Sequence, residues 1–534
     1  MRRDLGASVF RDRAPRSQLG RLLDGRHTSV CPWSLVLRGF WQRNHMNDSG
    51  RKNGGSIEIA TSSAPTEATP FAHGGPLAGC LSARHRRTFR PTIFIECTHT
   101  YHSDSNTGIQ RVVRNVVRHA PAWAQGGKYD VVPVIWTAER FVAIKPDRVL
   151  SGRQVVHTTS NKKKLGFGKK FLRESIRPFR RFASMYFVSS RLTPRRLAQI
   201  DIASIVYELP NKCDFSNCVL LLLDSSWTYN IWPLVTSFQR QGGTIVNVIY
   251  DLIPLSNPGV MDSKEMCDAF AYWFDKITLS TDGVVAISET MADSVRHYIE
   301  SASGCYKAPS FPILHFYLGS ELDLVKRSDG VDNNIRNIFD LGTHVFIVVG
   351  SIEPRKNHKF ILDAFDRFWA KDGNATLVLI GREGWRNEDT LERIANHPRL
   401  GTQLYLLRSA SDTELDFCYC NASALLFASI VEGFGLPIVE AFQRGLPVIC
   451  SDIAIFREIA SGRARFFDLS SADNLVRELE DFCRSVDLSS RKNRVPQKWI
   501  AWQESVEQLL NNVLAIHGIT AKKRSSGSES DDIP

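Results

Sequence analysis

Two glutamates eight positions apart, Glu432 and Glu440, flank the stretch Gly433-Phe434-Gly435-Leu436-Pro437. Pro437 suits the first turn of a helix, where its missing N–H costs nothing. Gly433 and Gly435 permit positive φ and a close approach of backbone to a ligand. Free N–H groups at a helix start attract anions, so the amides around 434–437 would welcome a phosphate. Taken singly, each glutamate has a plainer reading. Glu440 suits the dipole of a helix start, and Glu432 would serve as a surface residue. A second cluster lies upstream in "GSIEPRKNHKFILDAF", where Arg355 and Lys356 follow a strand end and precede a helix. Fixed charge added to a helix N-terminus makes an anion site. The alternative is a solvated basic loop.

These residues need a scaffold, and the hydrophobic pattern supplies one. "TIFIE" (92–96), "YDVVPVIW" (129–136), "CVLLLLDSSW" (218–227), "TIVNVIYDLIPL" (244–255) and the start of "GVVAISETMADSVRHYI" (283–299) read as strands. "NTGIQRVVRNVVRHA" (106–120) reads as a turn and an amphipathic helix, with Ile109, Val112, Val113, Val116 and Val117 on one face. After a polar linker at 326–334, a second series has strands at 344–351, 375–381, 403–408, 424–429, 447–451 and 464–468. Helical patterns fall between them at 357–370, 387–395, 412–420, 437–444, 454–460 and 471–485. Near-continuous apolar strands alternating with helices predict parallel sheets covered on both faces. The fold class is therefore α/β, with two doubly wound Rossmann-like domains, residues 91–325 and 335–496. Ligands in such sheets lie beyond the carboxyl ends of the strands. A helix over 497–516 is longer than the last unit needs and is expected to cross back to the first domain. Residues 517–534 read as a disordered polar tail.

The 534 residues are 43% hydrophobic, enough for a sizeable core, and no apolar run approaches the ~18 residues of a transmembrane helix. "VCPWSLVL" (30–37) is too short, and too broken by Pro32 and Ser34, to read as a signal peptide. Eleven scattered cysteines, with Cys418-x-Cys420 and Cys213-x4-Cys218 off zinc spacing, read as reduced thiols in a cytoplasmic protein. The net charge of +11 is uneven. Residues 1–90 carry +9 and 161–196 carry +11, leaving the body at −9. Residues 1–90 mix Arg, Gly, Ser and Pro without period and are expected to be a disordered basic extension. The 161–196 insertion sets Phe171, Phe179, Phe182 and Tyr186 among arginines. It suits either an anionic membrane surface or a helical hairpin packed on its own domain.

A cation pair followed by Glu-x7-Glu around a GFG-type loop resembles the retaining glycosyltransferases of the GT-B fold, family 4. The phrases "DSSW", "YDLIPL", "AISE" and "GSIEPRKN" are similar to those of bacterial polysaccharide mannosyltransferases in particular. The resemblance covers most of 92–516 and implies these roles. Lys356, with Arg355 beside it, would pair with the diphosphate of a nucleotide-sugar donor. Many relatives have an arginine directly after the strand-end glycine, where this chain has Ser351. Glu440 would accept hydrogen bonds from the ribose, and Glu432 would face the transferred sugar. The backbone N–H groups of Phe434, Gly435 and Leu436, beside Gly433, would hold phosphate or sugar oxygens. Gly108 would let the first domain approach the diphosphate. Relatives often have a histidine before the counterpart of Asp251, where this chain has Tyr250. Asp251 is accordingly expected in the cleft, near donor or acceptor.

The implied activity is metal-independent transfer of a hexose to a glycan or lipid-linked acceptor, with retention. Mannose from GDP-mannose is favoured, in cell-surface polysaccharide synthesis, with no cofactor beyond the donor substrate. His99 and His102 lack matched metal partners and read as a polar loop. A nucleotide-sugar 2-epimerase would share the fold but needs acid/base residues between the domains. A basic membrane- or nucleic-acid-binding protein would leave the phosphate loop and both glutamates without a role. No nucleic-acid partner is expected.

Overall fold

In the computed structural model, the described residues are 89–103, 107–137, 139–150, 202–301, 311–322, 330–488 and 494–526. The basic insertion 161–196, the extension before residue 89 and the last eight residues lie outside them. Two sheets organise the rest. The first contains β1 (Thr92–Glu96), β2 (Asp130–Trp136), β3 (Phe141–Ile144), β4 (Ile205–Glu208), β5 (Cys218–Leu222), β6 (Thr244–Ile249), β7 (Gly283–Ala286) and β8 (Ile313–His315). Its order is β4-β3-β2-β1-β5-β6-β7-β8. The second contains β9 (His344–Val349), β10 (Ala375–Ile380), β11 (Leu404–Leu407), β12 (Ala424–Phe427), β13 (Val448–Ser451) and β14 (Arg465–Phe467), in the order β11-β10-β9-β12-β13-β14. The second sheet is parallel throughout. The first departs from the all-parallel expectation at one edge, where β3 and β4 pair antiparallel. They are four-residue strands that the apolar pattern does not announce, and only a short connection separates β2 from β3.

Strands β1, β5, β6, β9 and β10 are buried along their whole length, as parallel strands covered on both faces must be. Each sheet reverses its winding once, between β1 and β5 and between β9 and β12. The crevice at such a reversal is where a doubly wound sheet binds ligands. In the second sheet the loops that leave β9 and β12 carry Arg355 and Lys356 on one side and Glu432 to Gly435 on the other.

The helix Gly108–Ala124 buries Val112, Val113, Val116, Val117 and Ala120 against the first sheet. The last helix differs from expectation at both ends. It spans Trp502–Ser525, so 497–501 is not helical and residues 517–525 are not a disordered tail. It continues because its side chains keep finding the first domain. His517 is buried against Thr244, with Nδ1 at 2.7 Å from Oγ1, and Trp123 Nε1 donates to Asn511 Oδ1 at 3.3 Å. The helix lies so close to β7 that a Cβ on Gly283 would stand 2.9 Å from Ile516. None of the eight described cysteines forms a disulfide, and all but Cys420 and Cys483 are buried. Among the described residues no helix is long and apolar enough to cross a membrane.

Candidate active site

After β9 the chain makes a 3-10 turn, Pro354–Lys356, which Asn357 ends in the left-handed region (φ 57°) before the helix His358–Ala370 begins. This turn sends Arg355 and Lys356 toward the loop after β12. Lys356 reaches Glu432 Oε1 at 2.5 Å with its ammonium 4.4 Å from the centroid of the Phe427 ring. A Cβ on Gly350 would come within 3.3 Å of the Lys356 stem, so the small residue at the strand end leaves that stem its path. Arg355 forks between Glu432 Oε2 and Glu353 Oε1, both at 2.6 Å. Ser429 Oγ donates to Glu432 Oε1 at 2.9 Å, and the Ile430 N–H donates to the Arg355 carbonyl at 2.8 Å. The two loops form one hydrogen-bonded unit.

Charge follows this geometry. Burial alone would raise the Glu432 carboxyl, but Arg355 and Lys356 outweigh it and hold it at about 2. Burial lowers the Lys356 ammonium, with Arg355 adding repulsion, and Glu432 only partly offsets this. Glu353 is raised by burial, against the pull of Arg355 and Lys356. Lys356 is the member for which a second anion would do most, because its cost of burial is not fully met.

Asp251 joins this cluster from the first domain. Its Oδ1 accepts from the Ile253 N–H at 3.0 Å. Burial raises its carboxyl, with Arg355 opposing and Glu432 reinforcing. Gly433 packs closely against that domain. A Cβ there would stand 2.1 Å from the Tyr250 carbonyl and 3.1 Å from Asp251 Cβ. The requirement at Gly433 is thus closeness, and positive φ is needed only at Gly435 (φ 107°), which caps the helix Leu436–Gln443. Phe434 is buried against Trp499, with ring centroids 6.2 Å apart. Tyr250 directs its hydroxyl away from the loop, donating to the Leu223 carbonyl at 2.7 Å.

Glu440 stands in a separate cluster. It is 1% exposed, receives the Tyr419 O–H at Oε2 (2.6 Å) and is paired at Oε1 with Arg111 of the first domain (2.5 Å). Glu440 therefore already has partners where the resemblance gives it a ribose. Gly108 begins the helix that carries Arg111, and a Cβ on it would meet Leu436 at an ordinary 3.9 Å. Nothing in this arrangement requires glycine at 108. The starts of the helices Gly108–Ala124 and Leu436–Gln443 nevertheless face each other across the cleft. His99 lies in a short helix, Thr98–Tyr101, not an open loop, and its Nδ1 is 2.9 Å from Gln110 Nε2.

Sequence reasoning did not single out Arg111, Tyr419, Glu353 or Ser429. Arg111 had a readable signal, because it lies one turn into a helix whose start the resemblance places near the donor. Tyr419 had none, since its role depends on a helix neighbour 21 positions away.

Residues 332–495 match the family profile described as glycosyl transferases group 1. The serotype-specific mannosyltransferase WbdA of Escherichia coli is 30% identical over 300 residues, which are 55% of this chain and 37% of that protein. The chain thus spans little more than a third of that relative's length. The O-antigen chain mannosyltransferase RfbU of Salmonella typhimurium is 26% identical over 233 residues, 43% of this chain and 59% of that one. Among solved structures, Anabaena Alr3699/HepE in complex with UDP and glucose aligns with a TM-score of 0.43 at 12% identity, over 83% of this chain and 100% of that chain. The similarity to the group 1 glycosyltransferases lies in the C-terminal domain, residues 332–495.

Proposed function

We propose that the chain transfers a hexose, with mannose from GDP-mannose favoured, to a glycan or lipid-linked acceptor with retention of anomeric configuration. The site would need no metal ion. The observation that carries this reading is the Arg355–Lys356–Glu432 cluster at the reversal point of the second sheet. Breaking a sugar–phosphate bond builds negative charge on the departing diphosphate. Two cations and a helix start, held in place before the substrate arrives, stabilise that charge. A diphosphate entering there competes with Glu432 for Lys356 and Arg355, and the displaced carboxylate is then beside the sugar. At the other end, ribose hydroxyls would take over Glu440 as Arg111 withdraws. The similarity to two mannosyltransferases supports mannose as the sugar and surface polysaccharide as the destination. The reading carries a cytoplasmic location, with an anionic membrane surface as partner for 161–196.

A thermal-shift and hydrolysis screen of nucleotide-sugars tests it. Stabilisation by GDP-mannose and its slow hydrolysis in the presence of a chelator are expected. Indifference to every nucleotide-sugar would overturn the transferase reading, and a strict requirement for a divalent ion would overturn the metal-free one.

A further inference from the structure

A cavity of about 420 Å³ opens on the other side of the Pro354–Lys356 turn, within the usual size range of small-molecule sites. Arg355, Lys356, Glu432 and Glu440 do not line it. Its walls are the starts of the helices His358–Ala370 and Glu388–Ala395 with the segment 352–354 between them. Lys359 and Arg386 share its lining with Glu353, Glu388 and Asp389, and Lys359 pairs with Asp389 at 3.2 Å, so cations and carboxylates mix around one concavity. His358 is 3% exposed, and its Nδ1 has no hydrogen-bond partner although the ring lines the cavity. Burial and the nearby Lys356 keep that ring neutral.

The charge pattern selects the ligand. Two helix starts would favour an anion, but three carboxylates on the same wall oppose one. Among the described residues no three His, Cys, Asp or Glu side chains converge to hold a metal ion. A closely mixed set of donors and acceptors fits a neutral molecule covered in hydroxyls. The position agrees. Glu353 links the cavity wall to Arg355 and so to Glu432, and Arg386 donates to the Gly259 carbonyl of the first domain at 2.7 Å. The cavity therefore borders both the candidate active site and the domain boundary.

We infer that this cavity is a saccharide subsite that holds a sugar unit of the acceptor chain away from the reacting end. The inference rests on the transferase reading above. Its test uses the full chain with mannotriose as probe, measured by calorimetry, and two surface variants, Asp389→Lys and Glu388→Trp. Neither residue belongs to the Lys356–Glu432 cluster, so hydrolysis of GDP-mannose should be unchanged in both. Mannotriose affinity should fall at least tenfold in each. Equal affinity in wild type and both variants overturns the subsite, as does displacement of mannotriose by inorganic phosphate. Absence of mannotriose binding to a wild-type chain that hydrolyses GDP-mannose also overturns it and leaves the transferase reading standing. If no nucleotide-sugar is hydrolysed, that reading falls, and the loss or retention of mannotriose binding in the variants still decides the cavity.

Discussion

Glu432→Gln separates the electrostatic role of this carboxylate from its shape. The wild-type carboxyl is held at about 2, against an ordinary 4.5, by Arg355 and Lys356 despite its burial. At ~1.4 kcal/mol for each tenfold change in proton affinity, that difference is worth about 3 kcal/mol of stability at neutral pH. The side chain is 8% exposed, so solvent screening removes little of it. A depressed carboxyl contributes fully above its unfolded value and loses its contribution as pH falls toward its folded one. The gap between wild type and Glu432→Gln should therefore be about 3 kcal/mol at pH 7 and pH 5. It should shrink progressively between pH 4.5 and about 2. Groups remote from Glu432 cancel in the difference. Equilibrium urea unfolding at pH 7, 5, 4 and 3 measures it. A gap below about 1 kcal/mol at pH 7, or one that is constant down to pH 3, refutes the reasoning. In turnover assays the same variant should lose mainly kcat, since in the proposed reaction Glu432 faces the transferred sugar only once the donor holds the cations.

Lys356→Ala and Glu440→Ala should mainly weaken donor binding, read as a raised Kd for GDP-mannose by calorimetry. Arg111→Ala leaves a buried carboxylate with only Tyr419 as partner and should destabilise the chain by about 3 kcal/mol in urea unfolding, with partial recovery in Arg111→Lys. Tyr419→Phe removes a hydrogen bond to a charged group and should cost about 1.5–3 kcal/mol by the same assay. Gly433→Ala forces a methyl against the Tyr250 carbonyl and should cost about 1–3 kcal/mol, with a larger radius in X-ray scattering as the domains separate.

The parts legible in the sequence are those set by local pattern. All six strands of the second sheet lie within the apolar runs that announce them, because a strand buried on both faces has little freedom in composition. The cation pair and the Glu-x7-Glu loop were legible because a strand end and a helix start fix their directions. Contacts made across the chain were not. Arg111 and Glu440 are 329 positions apart, and their pairing depends on how two finished domains meet. The extent of the last helix was hidden for the same reason. Its 517–525 portion is polar in sequence and is held by carbonyls and a threonine on the first domain, such as Thr244. The edge strands β3 and β4 are too short for a periodic signal.

The chain crosses between the domains twice, before the helix Asn333–Phe339 and again before Trp502. The two crossings are stitched together. Trp499 Nε1 donates to the Leu318 carbonyl at 2.8 Å, and Trp502 donates through its backbone N–H to Glu321 Oε2 at 2.9 Å and through its ring to the Glu321 carbonyl at 3.1 Å. Two joined crossings make an axle, and bodies on an axle rotate about it without sliding. Arg111 lies next to that axle, since it also donates to the Glu321 carbonyl at 3.4 Å. Displacement grows with distance from the axis, so a small rotation moves the Arg111–Glu440 pair least. Contacts further from the crossings travel further and part first. The molecule would open as a book does, with the Glu440 end of the site at the spine.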